Sequence, residues 1–381
     1  MKIIHFCLSS FYIDGMDYQE NALVREHVSA GHDVLIIAST ENQDDNKKIC
    51  YSPPGEYTGQ EGARVIRLPY RGWPHAIAKK LRIHPNVYKL ISDFGPDAMM
   101  FHSMCGWELK TVTRYKRNNP DVILYADTHE DKNNSARNFI SREILHRCYY
   151  APIARRANSD IQKIMCINMS SIEFMRDFYK IPEEKLEFFP LGGNPLSAEV
   201  IAHTRKRTRA ELRLKDDHIV FVQSGKQTVR KKLIESLTAF AKNTDPRFQL
   251  LIAGILFEDI KDEAEALIAA DNRVTMLGWK TTEELTDVLC AADVYLQPGT
   301  QSATMQASLC AGKAVILDDV PCHAPFMDKN GWLLNENTSL DDVFAEISSG
   351  EPDLQLMGER SRLTAHKMLD YKEQAERLLR W

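Results

Sequence analysis

Two doubly wound α/β domains in tandem are what this sequence predicts, and three observations carry the prediction. Short apolar runs bounded by polar turns alternate with helical patterns, as they do where parallel strands are joined by helical crossovers. The runs fall into two separate series. Between the series stands Pro190-Leu191-Gly192-Gly193-Asn194-Pro195, a stretch through which neither helix nor strand continues. A chain of 381 residues is also too long for one ordinary core, since single cores stop growing at about 250–300 residues.

The first series of predicted strands covers residues 2–8, 34–38, 64–68, 98–102, 122–126 and 164–167. Residues 21–30 set Ala22, Leu23 and Val28 among charged positions and stop at Gly31-His32, a helix with a C-terminal glycine that completes a first βαβ unit. The second series covers 219–223, 249–253, 273–277, 294–297 and 314–317, with helices over 232–242 and 282–290. The expected domains are 1–190 and 196–355, followed by a charged helical tail over 356–381 that packs back on the first. In open α/β sheets ligands sit beyond the carboxyl ends of the strands, so a cleft faced by both domains is the expected site.

Composition narrows the function. With 44% hydrophobic and 27% charged residues the chain is ordinary and globular. A formal net charge of −5 lacks the basic footprint of a nucleic-acid-binding protein. The eight cysteines are scattered, with neither C-x-x-C nor zinc-ligand spacing, which fits reduced thiols in the cytoplasm. No secretion signal is visible, and no run reaches the roughly 18 apolar residues of a membrane span.

Candidate chemistry gathers after predicted strands. Gly15 stands just ahead of the first helix, where free N–H groups favour an anion such as a pyrophosphate; a plain turn glycine fits as well. Ser224-Gly225-Lys226 leads to Arg230-Lys231-Lys232, cations that would neutralise charge on a departing nucleoside diphosphate, or simply form a solvated basic loop. After residues 294–297 the chain enters a helix rich in hydroxyls and amides. Ser302 or Thr304 can cap it, and Gln301 or Gln306 can hydrogen-bond sugar or ribose hydroxyls. In the first half, Asp127-Thr128-His129-Glu130-Asp131 follows a strand and can orient a sugar, assist proton transfer or bind a metal. A lone histidine is as readily structural. No D-x-D carboxylate pair occurs to chelate a metal-diphosphate, so neither metal nor cofactor is predicted.

These residues resemble the retaining GT-B glycosyltransferases of family 4, the group 1 type, and among them enzymes that build bacterial surface polysaccharides. The resemblance spans nearly the whole chain. It is strongest at Tyr18-Gln19-Glu20-Asn21 with Gly31-His32-Asp33-Val34, in the spacing from Gly225-Lys226 to Lys231, and from Ala291-Ala292-Asp293-Val294 through Gln301 to Gly312 and Val315. It implies two Rossmann-like domains facing a central cleft and transfer of a hexose, with retention, from a nucleotide sugar such as a UDP-sugar to a glycan or lipid-linked glycan. By the same resemblance Gly15 faces the donor phosphates, His129 lies near the transferred sugar, and Lys226 and Lys231 hold the diphosphate. Gly225, Gln301, Ser302, Thr304 and Gln306 would complete the donor site, and Tyr18, Gln19, His102 and Asp127 would meet the acceptor. Two departures stand out. Asp14-Gly15 replaces a common pair of glycines, and Gly299, Gln301, Gln306 and Ala307 occupy the region where many members carry two glutamates. A glutamine donates as well as accepts but supplies no negative charge.

Residues 73–82 and 142–156 mix cations with apolar groups and are candidates for peripheral contact with the inner face of the membrane, though amphipathic core helices fit them equally. Two other readings of the site remain: a nucleotide-sugar epimerase of the same architecture, and a nucleotide-sugar-binding protein without turnover. A nicotinamide oxidoreductase lacks its G-x-G-x-x-G fingerprint.

Overall fold

The computed structural model describes residues 1–16, 18–43, 48–72, 74–132, 134–299 and 302–380. It divides into two compact units, Met1–Pro190 with Tyr371–Trp381, and Leu191–Asp370.

The strands of the first unit are β1 (Lys2–Cys7), β2 (Asp33–Ser39), β3 (Glu41–Gln43), β4 (Ile49–Tyr51), β5 (Gly55–Thr58), β6 (Arg64–Leu68), β7 (Ala98–Phe101), β8 (Ile123–Thr128), β9 (Ile164–Cys166) and β10 (Leu186–Phe188). Eight of them form one sheet in the order β10-β9-β8-β7-β1-β2-β6-β5. All its pairings are parallel except that of β5 with β6, while β3 and β4 make a separate antiparallel pair. Both faces of this sheet are covered, which is why its strands read as continuous apolar runs. Side chains still alternate: Ile4 and Phe6 of β1 enter one core, Ile3 and Cys7 the other. Leu23 and Val24 of the helix Gln19–Ser29 pack into the second core. The strand order reverses between β1 and β7, the switch point where a doubly wound sheet opens a crevice.

The second unit is simpler. Its strands β11 (Ile219–Gln227), β12 (Phe248–Leu256), β13 (Val274–Gly278), β14 (Val294–Gln297), β15 (Ala314–Asp318) and β16 (Gly331–Leu334) form an all-parallel sheet in the order β13-β12-β11-β14-β15-β16. The switch point lies between β11 and β14. Phe221, Phe240, Phe248 and Phe344 are fully buried in one aromatic cluster, with the Phe221 and Phe248 centroids 4.8 Å apart. Local signals agree with the fold: Thr281 and Glu284 form a reciprocal capping box at the start of the helix Thr282–Ala291.

Three features differ from the sequence expectation. β11 and β12 pair in register from Ile219↔Phe248 to Gln227↔Leu256, so Ser224–Gln227, read as loop, continues a strand. The short strands β3, β4, β5, β10 and β16 were not anticipated, because three or four residues give too little periodicity to detect. The tail, expected as one segment packing on the first domain, is divided: the helix Leu354–Met368 lies in the second unit and Tyr371–Arg377 in the first. Ala375 of the latter and Leu378 just after it enter the first unit's core. Among the described residues no helix is long and apolar enough to cross a membrane.

Candidate active site

The switch point of the second unit gathers most of the predicted donor residues. β11 ends through Gly225, whose φ of +112° suits glycine, and Lys226, which is exposed. A single helical turn, Val229–Lys231, follows, and Gln223 Nε2 donates to the Lys231 carbonyl at 2.9 Å. Lys231 is half-buried; burial first, and the neighbouring Arg230 charge second, pull its ammonium down to about 8. From β14 the fully buried Tyr295 hydroxyl lies 3.1 Å from Ser224 Oγ and 2.7 Å from Thr304 Oγ1, and donates to Gln297 Oε1 at 2.6 Å. Ser302 Oγ donates to the same Gln297 oxygen at 2.5 Å and accepts the Met305 N–H at 3.3 Å, capping the helix Ala303–Cys310.

Gly299 ties these parts together. Its φ is +104°, and a Cβ there would lie 2.2 Å from the Arg230 carbonyl oxygen. The turn leading to the capped helix therefore touches the turn that carries Lys231, and only glycine allows the approach. Lys231, Gly225, Ser302 and Thr304 thus converge at the carboxyl ends of the central strands β11 and β14. Gln306 is 2% exposed and its Oε1 has no hydrogen-bond partner, an unspent acceptor near this helix start. Gln301 lies outside the described residues.

The first unit builds a different centre at its own switch point. His27 Nε2 meets the Ala375 carbonyl at 3.0 Å, His27 Nδ1 meets His5 Nε2 at 3.0 Å, His5 Nδ1 meets His102 Nε2 at 3.0 Å, and His102 Nδ1 meets Asp127 Oδ2 at 2.5 Å. Four hydrogen bonds require four ring protons, one more than three neutral imidazoles carry, as long as Asp127 is ionised. The chain therefore holds one positive charge opposite one carboxylate. Burial opposes a charge on His102, but attraction and hydrogen bonding from Asp127 outweigh it and raise its pKa. Burial lowers those of His5 and His27, so the charge rests on His102. For Asp127 the burial cost is likewise overcome by His102, and its pKa is lowered.

This arrangement changes the expected role of several residues. His102 and Asp127 are 0% and 2% exposed, so both position their neighbours and neither presents a polar atom to an acceptor. Gln19 is also buried and donates to the Pro190 carbonyl at 3.0 Å and to Gln374 Oε1 at 3.2 Å. Asp127 further accepts the Ser103 N–H at 2.7 Å, and Glu130 accepts both the Ser103 hydroxyl and, at 2.6 Å, that of Thr128. His129 follows directly on β8; its Nε2 is buried without a hydrogen-bond partner. Gly15 and Tyr18 belong to the turn before the helix Gln19–Ser29. Gly15 is exposed at a φ of +72° with Gln60 against it, and Tyr18 is exposed at the helix start.

Residues 204–364 match the family model described as Glycosyl transferases group 1. The chain has a GT-B fold, and its stretch 204–364 is similar to group 1 glycosyl transferases. No curated protein sequence matches it. Among solved structures, WaaG, a glycosyltransferase involved in lipopolysaccharide biosynthesis, superposes with a TM-score of 0.62 at 17% identity, covering 99% of each chain. HepE of Anabaena, solved with UDP, gives 0.63 at 14% identity over 99% of this chain and 98% of its own. Sucrose-phosphate synthase of Thermosynechococcus elongatus gives 0.60 at 15% over 99% and 96%. The matched stretch contains Gly225, Lys226, Lys231, Ser302, Thr304 and Gln306. None of these matches favours the epimerase reading. Sequence reasoning missed Tyr295 and Gln297, although their two-residue spacing on a strand at the switch point puts both on one face. It also missed His5 and His27, isolated histidines that only the assembled sheet and helix bring to His102.

Proposed function

We propose that this protein is a glycosyltransferase that moves a hexose from a UDP-sugar to a glycan or lipid-linked glycan acceptor with retention of anomeric configuration. The observation that carries the reading is the half-buried Lys231, set by the Gly299 contact beside the start of the helix Ala303–Cys310. HepE, which shares the fold, was solved with UDP and with UDP-glucose. On this reading the second domain, from 196 to 355, holds the donor, and the first, 1–190, serves the acceptor with His129 near the transferred sugar. Lys226, Lys231 and first-turn N–H groups take up charge as the bond between the anomeric carbon and the diphosphate breaks. The acceptor oxygen attacks from the face the diphosphate leaves, and a departing phosphate oxygen receives its proton. The lysines supply the positive charge, so EDTA leaves turnover unchanged. Peripheral contact at the membrane's inner face accords with a lipid-linked acceptor.

Lys231 supplies the test. A diphosphate favours its charged form, so binding takes up a proton wherever the free protein has lost it. UDP-glucose affinity measured by calorimetry is therefore flat below pH about 8 and falls as pH rises beyond it. Lys231→Arg, charged throughout, removes the fall, and Lys231→Ala abolishes transfer in a folded protein. Normal turnover in Lys231→Ala removes this residue from the site.

A further inference from the structure

The tail that returns to the first unit meets the histidine line at the Ala375 carbonyl oxygen. A carbonyl only accepts, so with the tail docked His27 Nε2 must carry a proton. The other three contacts, His27 with His5, His5 with His102 and His102 with Asp127, each need one more. Four protons therefore lie among three imidazoles and a carboxylate, and each of these residues is at most 2% exposed. With one proton fewer, a contact of 2.5–3.0 Å would set two lone pairs against each other. Water differs from a carbonyl because it donates as well as accepts. Once the tail leaves, His27 Nε2 can accept from water, each imidazole can turn its single proton toward Asp127, and three protons satisfy the line.

We propose that this fourth proton latches the helix Tyr371–Arg377 to the first unit, and that losing it releases the tail. Docking takes up a proton, so its contribution is complete below the pKa of the undocked line and is lost as pH rises through the higher pKa of the docked one. Burial opposes the charge on His102, but Asp127 outweighs it and carries the docked value above that of an ordinary histidine. The latch acts on more than one helix. Gln374 donates to the Pro190 carbonyl at 2.9 Å and Gln19 donates to the same oxygen at 3.0 Å, which ties together the two places where the chain passes between the units. The proton thus governs how firmly the segments leading to the second unit are held by the first.

The charged groups around the line accord with this direction. Glu20, 8% exposed on the helix Gln19–Ser29, joins Asp127 in attracting a charge on His102. His32 lies near His27 and His129 near Asp127, and a charge on either opposes one on the line. Burial raises the Cys7 thiol of β1 well above its usual range, so it stays neutral. The tail's arginines are engaged elsewhere, Arg377 with Glu187 and Arg380 with Glu373 and Glu376.

Hydrogen exchange of the full chain from about pH 6 to about pH 9, expressed as protection over the intrinsic rate at each pH, tests the latch. In the parent, protection of the helix Tyr371–Arg377 falls by up to about tenfold per pH unit above the pKa of the docked line. The helix Glu108–Asn118, whose Leu109 and Val112 pack in the other core, keeps its protection. In Asp127→Asn the amide donates to His102, so three neutral imidazoles satisfy the docked line and tail protection changes less than about twofold over the same range. No loss of tail protection in the parent, or an equal loss in Asp127→Asn, overturns the latch. Parallel loss in Glu108–Asn118 makes the charged histidine a stabiliser of the whole unit and overturns it as well. Should Asp127→Asn fail to fold, the ring-nitrogen resonances of the parent decide the matter. His102 is expected to pass from doubly to singly protonated at the pH where the tail loosens. A His102 that titrates with the tail undisturbed, or a tail that loosens with His102 still doubly protonated, refutes the coupling.

Discussion

The Ala375 carbonyl can only accept, and with Asp127 ionised and the charge on His102 that constraint fixes every proton along His27, His5 and His102 to Asp127. Its consequence is testable by changing a single atom. In Asp127→Asn the oxygen still accepts the Ser103 N–H, while the amide N–H donates to His102 Nδ1. Three neutral imidazoles then satisfy all four hydrogen bonds, and the buried charge disappears together with its counterion. Asp127→Ala instead strands a charge or breaks the line. Removing one partner of a buried pair costs about 3–5 kcal/mol, whereas replacing the pair by a matched neutral contact is near neutral. Urea unfolding is therefore expected to show Asp127→Asn within about 1 kcal/mol of the parent and Asp127→Ala several kcal/mol below it. Equal losses in both would mean that the histidine line carries no fourth proton and Asp127 faces no charged imidazole.

Among the elements, the helix Ala303–Cys310 separates structural from functional effects. Ser302→Ala removes a cap and should cost about 1 kcal/mol of stability. Gly299→Ala must displace either its own turn or that of Arg230 and Lys231, because 2.2 Å is far inside contact distance. UDP-glucose affinity is expected to fall at least tenfold in Gly299→Ala and by less than threefold in Ser302→Ala, measured at one temperature where both are folded. The reverse order would detach the Lys231 turn from donor binding. The glycine, the hydroxyl-rich helix start and the cations after β11 were all legible in the sequence, since each is a local signal. Tyr295 was not, because a tyrosine in an apolar strand looks like core until its hydroxyl is seen to join Ser224, Gln297 and Thr304. Nor were His5 and His27, far apart in the chain and joined to His102 only when β1 lies next to β7.

For the whole molecule, the chain's last residues leave the second unit and complete the first. Ala375 and Leu378 are 3% exposed and join a core with Ile3, Leu23 and Val34. Gln374 donates to the Pro190 carbonyl at 2.9 Å, the Arg380 carbonyl accepts from the Tyr125 hydroxyl at 2.8 Å, and Arg377 pairs with Glu187. A chain ending at Asp370 loses all of these and the acceptor that orients the histidine line. Exposing the alanine and the leucine costs about 3 kcal/mol, and leaving His27 Nε2–H without a partner about 1–3 more. A loss of roughly 4–6 kcal/mol would consume much of a typical unit's stability. The deletion lies directly after the second unit, yet its damage is expected in the first: the truncated protein should keep its UDP-glucose affinity, held within Leu191–Asp370, while hydrogen exchange of β1, β2 and β7 speeds up. Protection lost in β11 and β14 instead, with nucleotide binding gone, would show that the tail supports the second unit and not the first.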